Sequence, residues 1–494
     1  MLNKLWPRRR SKVSPISLSG PKKPAWAVFF WLAQFRRWLR YLWRDFVAVV
    51  MRAIMRSVYR VDMRGLKHFS YKPSTIVACS HKRDEDIPLF IGQFYTFRGR
   101  KARKALRLVY TATRDDLHEN GFLILYFPAL DRWLRPVLAR LRVSRFIRQL
   151  QSCPVKLPDE QTVSQLLQET KRLEGNLPLA ETVTPEWQMR LLGEKSFECK
   201  DLTIWDALLK APLAVLAQLA TPRMFKEPLS SRIIKRHHQT VIEQLRHMSR
   251  VLDKGGVLFI APEGQVTPDG HFGKPRAALT RVVQQTRADL KMTPINMTYD
   301  FMDSEKTLAI INVGPEITGL KNYAKNELVE LVRRSVAGLA CVTMSGLAGR
   351  WLIEAVEKGQ GGVNYRRFSD ELWHEAQHLQ ALGLLVERHL ENWQDFEIRL
   401  KRFLNYAFAS GKIFKPQSLD LQTLNGDSWL EFDLPALARQ ECRKFDDHPA
   451  RYCYNELMSL LEAHNLLGTR AEGESESAGV YDLAAARARR LTAG

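Results

Sequence analysis

The 494-residue sequence predicts an α/β fold: a mixed, mostly parallel sheet flanked by helices, with amphipathic membrane helices at the N-terminus and a helical C-terminal region. Three observations predict it. Short apolar runs between residues 74 and 313 read as continuous more than as alternating, which suits strands buried on both faces. Among them, Arg232–Leu252 repeats Ile233, Val241, Leu245, Met248 and Leu252 at helical spacing and ends in Asp253-Lys254-Gly255-Gly256, a helix stop ahead of a strand. Beyond about residue 320 the strand signals largely vanish and helical patterns take over.

Taken in order, residues 1–23 are basic and contain Ser and Pro, and read as a flexible arm. Trp26–Tyr59 lacks Pro and Gly and carries large apolar side chains, including Phe29, Phe30, Trp31, Trp38, Trp43 and Phe46. Arg36, Arg40 and Arg44 recur at four-residue steps, and so do Arg52, Arg56 and Arg60. Each such step drifts about 40° around a helix, so two amphipathic helices within residues 24–60 fit better than one. Trp and Phe opposite Arg suit a helix lying in an anionic headgroup layer; the other reading is a helical hairpin packed on its own protein. Candidate strands follow at Ser74–Cys79, Leu106–Thr111, Gly256–Ile260, Thr293–Thr298 and Thr307–Val313. They build a domain over residues 61–320, with a mostly helical insertion at about 157–230. Helical patterns at Lys325–Leu339, Phe368–Leu385, Trp393–Ala409, Leu434–Lys444 and Arg451–His464 define a C-terminal region, 321–468, and residues 469–494 read as a solvated tail.

The net charge of +22 is an N-terminal property. Residues 1–60 hold 14 basic and 1 acidic side chains and residues 61–150 hold 18 and 8, which leaves the rest close to neutral. Such asymmetry implies a localised anionic partner. Six cysteines without a Cys-x-x-Cys pair argue for free thiols in a reducing compartment and against a zinc ribbon or disulfide scaffold. Pro24–Phe35, Asn120–Leu130 and Ala211–Pro222 are uncharged apolar runs, each well short of the roughly 20 residues a membrane-spanning helix needs.

The chemistry concentrates at Ser80-His81-Lys82-Arg83-Asp84-Glu85-Asp86, directly after a strand. A histidine at a strand exit lies at the carboxyl edge of the sheet, where open α/β sheets bind ligands. On one helix His81 and Asp86 would stand about 140° apart. They meet if His81 stays in the loop and Asp86 enters the first turn, and the carboxylate then orients the imidazole and stabilises it as it takes a proton. A second segment runs from strand to Pro262-Glu263-Gly264 and on to Asp269-Gly270 with Lys274 and Arg276, and a third, Thr293-Pro294-Ile295, opens another strand.

In this order the segments resemble the glycerophospholipid acyltransferase superfamily, which includes the lysophosphatidate and glycerol-3-phosphate acyltransferases. That family carries His-x4-Asp, a basic phosphate-binding motif, Pro-Glu-Gly and a strand-opening Pro. The resemblance covers roughly residues 60–315. It implies acyl transfer from acyl-CoA or acyl-carrier protein to a hydroxyl of a glycerol phosphate or lysophospholipid. His81 is then the general base, Asp86 orients it, and neither a covalent acyl-enzyme nor a metal is involved. Glu263 and Gly264 shape the acceptor site and Pro294 supports its wall. Pro-Glu-Gly continues here as Gln265-Val266-Thr267 where the family has Thr-Arg-Ser, so Lys274 or Arg276 is the candidate for the missing charge. The basic motif is represented by Cys153-Pro154-Val155-Lys156, with Lys156 or Arg148 as the anion contact. The expected partners are an anionic membrane surface, an acyl thioester donor and a glycerolipid acceptor, with no nucleic acid, and the expected location is peripheral or monotopic on the cytoplasmic face.

Two other classes compete. His374-Glu375-Ala376-Gln377-His378 fits His-Glu-x-x-His, which would make a zinc hydrolase of the C-terminal region, against an ordinary solvated helix face. A non-catalytic basic lipid-binding protein with a degenerate acyltransferase fold is the other.

Overall fold

The computed structural model describes residues 42–43, 45–69, 72–97, 109–114, 151–156, 161–193, 201–415 and 424–467. The arm at 1–23, most of the first expected helix, part of the strand from Leu106, the Asn120–Leu130 run, Arg148, Cys199 and the tail at 469–494 lie outside these residues. The chain falls into two compact units, Met1–Phe46 and Val47–Gly494. Every described strand lies in the second unit.

The centre of that unit is a seven-stranded sheet of order β1-β9-β8-β2-β7-β3-β4. The strands are β1 (Arg60–Arg64), β2 (Thr75–Cys79), β3 (Val109–Arg114), β4 (Ser152–Val155), β7 (Val257–Ile260), β8 (Lys291–Asp300) and β9 (Leu308–Val313); β5 (Gln161–Thr162) and β6 (Leu219–Ala220) form a small separate pair. All pairings in the large sheet are parallel except β8 with β9. The mixed, mostly parallel sheet expected from the continuous apolar runs is therefore present. Every residue of β2 and β7 is buried, because helices cover both faces and leave no polar side for alternation.

The helices that matter are α1 (residues 47–58), α2 (Asp86–Phe97), α3 (Val163–Glu174), α4 (Leu229–Asp253), α5 (Ala277–Gln285), α6 (Lys325–Ala337), α7 (Met344–Glu357), α8 (Tyr365–Ala381), α9 (Trp393–Ser410) and α10 (Pro449–Ala463). Pleating sends Ile76 and Ala78 of β2 to one face, into a core with Leu245 and Met248 of α4, Leu279 and Val282 of α5 and Leu328 of α6. Val77 and Cys79 go to the other, into a core shared with Leu89 and Phe90 of α2 and with α7 to α10. The C-terminal helices thus complete one face of the sheet. The insertion keeps a core of its own around Leu166, Leu167, Leu208 and Phe225. Its two ends are tied by the antiparallel pairing of Gln161 with Ala220 and Thr162 with Leu219.

Three local expectations change. The second arginine stripe does not stay on a helix: Arg60 opens β1, and its guanidinium binds Asp303. Pro294 lies four residues into β8 and does not open it. It is tolerated there because the ladder to β9 begins only at Ile295, and Gly314 donates its N–H to the Pro294 carbonyl at 2.9 Å. The helix expected at Leu434–Lys444 is a single turn, Leu434–Leu437; beyond it Arg439 instead donates to the Asp447 carbonyl at 2.6 Å. Among the described residues no helix is long and apolar enough to cross a membrane.

Candidate active site

β2 is the middle strand of the sheet, and the chain leaves it through Ser80 and His81 into the first turn of α2. Asp86 shapes that turn. Its Oδ2 accepts the backbone N–H groups of Lys82 and Arg83 at 2.7 and 3.0 Å and the imidazole Nδ1 of His81 at 3.1 Å. Its Oδ1 accepts the hydroxyl of Tyr299 from β8. All four partners are donors, so the pattern suits an ionised carboxylate. With Nδ1–H given to Asp86, the imidazole keeps its lone pair on Nε2. Burial opposes the charged imidazole, but the hydrogen bond and charge of Asp86, aided by Asp84 and Glu263, outweigh it and raise the His81 pKa above its ordinary value. Tyr299 is pushed the same way, well above the usual phenol, by burial and by Asp86, and it stays a neutral donor.

The neighbouring strand β7 supplies the second half. Gly264 follows it at φ +77°, and a Cβ there would come within 2.7 Å of the Arg276 side chain, so the tight approach needs glycine. Glu263 is buried, and its carboxylate is fully spent on the loop: Oε2 accepts His81 N–H at 3.1 Å, while Oε1 accepts Gly273 N–H at 2.7 Å and Thr267 Oγ1–H at 2.9 Å. Burial raises its pKa, against the opposing pull of Lys82 and these donors. Glu263 therefore builds the loop around His81. Arg276 donates from Nε to the Glu263 carbonyl at 2.8 Å and from a terminal nitrogen to Gln265 at 3.2 Å.

His81, Asp86, Gly264 and Arg276 meet at a cavity of about 290 Å³ whose walls are mostly apolar, from Ile87, Ala112, Val155, Phe259, Ile260 and Leu279. It opens at the carboxyl ends of β2, β3, β4 and β7, the edge where such sheets bind ligands. Glu263, Lys156, Lys274 and Pro294 do not line it. Lys156 is buried and paired with Glu169 of α3, which also bonds His237 at 2.9 Å; despite burial, His237 and Lys156 hold the Glu169 carboxyl down at about 2. Lys274 is exposed, and Pro294 is buried in the sheet opposite Ala78. On α8, Glu375 of the His-Glu-x-x-His segment is ion-paired with Arg350 at 2.8 Å. Among the described residues no three His, Cys, Asp or Glu side chains are grouped to hold a metal ion.

Tyr299 was not legible in the sequence, since nothing in a buried β8 residue marks it as a partner of Asp86. Among the described residues no serine or cysteine side chain is hydrogen-bonded to the His81 ring; Ser80 Oγ accepts Met297 N–H instead, at 2.9 Å. The fold and site define an α/β protein with a His–Asp pair at the carboxyl edge of a largely parallel sheet, facing an apolar cavity. No family model matches the chain, and no curated protein matches it. Among solved structures it is similar to the 1-acyl-sn-glycerophosphate (LPA) acyltransferase PlsC from Thermotoga maritima, with 12% identity, a TM-score of 0.32, and coverage of 63% of this chain and 86% of that one.

Proposed function

We propose that the chain is a membrane-associated O-acyltransferase that moves a fatty acyl group from a thioester, acyl-CoA or acyl-carrier protein, to a hydroxyl of a glycerol phosphate or lysophospholipid. The observation that carries this reading is the His81–Asp86 pair set at an apolar cavity. With no side-chain nucleophile bonded to the ring among the described residues, the imidazole acts on the acceptor directly. Nε2 takes the hydroxyl proton as the oxygen bonds to the thioester carbon. The tetrahedral intermediate then expels the thiolate, which recovers the proton from the imidazolium. The apolar wall receives the acyl chain, and Arg276, which lines the same cavity, is the proposed contact for an anionic acceptor group.

Thiol release from acyl-CoA, followed with glycerol-3-phosphate, lysophosphatidate, lysophospholipids and non-phosphorylated alcohols as acceptors, tests the reaction. Acceptor-dependent release is expected with at least one of the phosphorylated acceptors, and release with none would leave the non-catalytic lipid-binding reading standing. The membrane part draws on the concentration of basic charge in residues 1–150 and on Ile54 and Val58 of α1, which stand exposed one turn apart on the same side of the helix. Deleting residues 1–59 is expected to abolish co-flotation with vesicles rich in anionic lipid. Undiminished flotation of the truncated chain would refute that part alone.

A further inference from the structure

Both backbone polar groups of His81 are held by the loop that follows β7. Its N–H goes to Glu263 at 3.1 Å, and its carbonyl accepts Thr267 N–H at 2.8 Å. Residues 261–276 contain no helix or strand, so beyond the bonds that Glu263 makes within it the loop depends on what it leans on. That support is α10. Asn455 Nδ2 donates to the Asp269 carbonyl at 2.8 Å, and Ser459 Oγ accepts Phe272 N–H at 3.0 Å. Gly270, at φ +91°, lies so close beneath the helix that a Cβ would fall 2.1 Å from the Tyr452 carbonyl oxygen. The residue after His81 closes the circuit: the buried Lys82 ammonium donates to the Gly270 carbonyl at 3.2 Å and lies 3.6 Å from the buried carboxylate of Glu456.

We propose that α10 positions the general base, with Asn455, Glu456 and Ser459 as positioning residues that act on His81 through the 263–273 loop and Lys82, so that turnover is conditional on a helix more than 360 residues away in sequence. The proposal rests on the reading of His81 as the base. None of the three lines the cavity, so their removal leaves substrate contacts in place. The charged groups that act on the ring are Asp86 and Asp84 at the α2 end and Glu263 from the loop. Loosening the loop relaxes the His81–Asp86 contact that offsets burial, and the imidazole then becomes less basic.

The test is the double variant Asn455→Ala/Ser459→Ala, which removes three hydrogen bonds to the loop, the third being the His271 Nδ1–Ser459 Oγ contact at 3.4 Å, and no charge. Its kcat is expected to fall about 10- to 100-fold with KM for donor and acceptor changed less than about twofold, because a small misplacement of a proton acceptor costs rate before it costs binding. The acid limb of its kcat/KM profile is expected to move to lower pH, a change that lost stability alone would not produce. Glu456→Gln and Lys82→Met are expected to be non-additive in kcat. A double variant with wild-type kcat and an unmoved acid limb would overturn the proposal, as would a rate loss that merely matches the unfolded fraction. Titration of the His81 ring by NMR separates this from failure of the functional reading, since it needs no turnover: an unmoved ring pKa in the double variant counts against α10, and a lowered one supports it even if no acceptor is acylated. Should the double variant not fold, Ser459→Ala alone carries the same measurements.

Discussion

His81→Ala is expected to lower acceptor-dependent thiol release about 100- to 10,000-fold, the range that a positioned general base contributes, while folding and vesicle binding stay as in the wild type. The loss should fall on kcat and kcat/KM together, because the imidazole acts only as the proton moves. In the wild type the pH dependence has a defined sign. A base works unprotonated, and the His81 pKa is raised above 6.5, so kcat/KM should decline as pH falls through a value above 6.5 and not below it. Near-wild-type turnover in the alanine variant would remove His81 from the mechanism.

Asp86→Asn should be nearly as damaging, about 1,000-fold or more in kcat, although it changes a single atom. Every partner of Asp86 is a donor: two backbone N–H groups, the imidazole and the Tyr299 hydroxyl. An amide offers one acceptor and one donor, so its NH₂ must face a donor wherever it is placed. If it faces the imidazole, the ring turns to the tautomer with its proton on Nε2 and loses the lone pair the acceptor needs. If it faces Tyr299, the phenol must turn to accept from the NH₂ and its own buried proton loses its acceptor. The charge is gone in both cases while burial remains, so the acid limb should move to lower pH as the rate falls. An unchanged limb would mean that Asp86 shapes the loop without tuning the base.

The parts of the fold that could be read in advance were those whose residues have one job. β2, β7 and β9 are largely apolar because both faces are covered, and the sequence shows them as nearly continuous runs, whereas β8 is buried although it carries Thr293, Asn296, Thr298 and Asp300. β1 could not be read this way: Arg-Val-Asp-Met-Arg is an edge strand whose charges are used by Asp303, Arg388 and its own neighbours. β4 contains Pro154, which its place at the edge of the sheet accommodates. α7 escaped periodicity because it is buried on nearly every side, from Met344 to Ile353. In the site, His81 and Asp86 were legible because five residues of loop and first turn bring them together locally. The family resemblance offers Lys156 or Arg148 as the anion contact, yet Lys156 is buried against Glu169, a partner 13 residues on whose pairing no local pattern encodes. Tyr299 and α10 reach the site only through tertiary packing.

The support of the His81 loop by α10 also sets an order of events during synthesis. The chain leaves the ribosome N-terminus first, so the His–Asp turn is made before residues 449–463. At about 5–20 residues per second, roughly 20–80 s separate the two. Until residues 449–463 are made, the 263–273 loop lacks the contacts of Asn455 and Ser459. An incomplete chain therefore holds the His–Asp turn without the helix that braces the loop behind it.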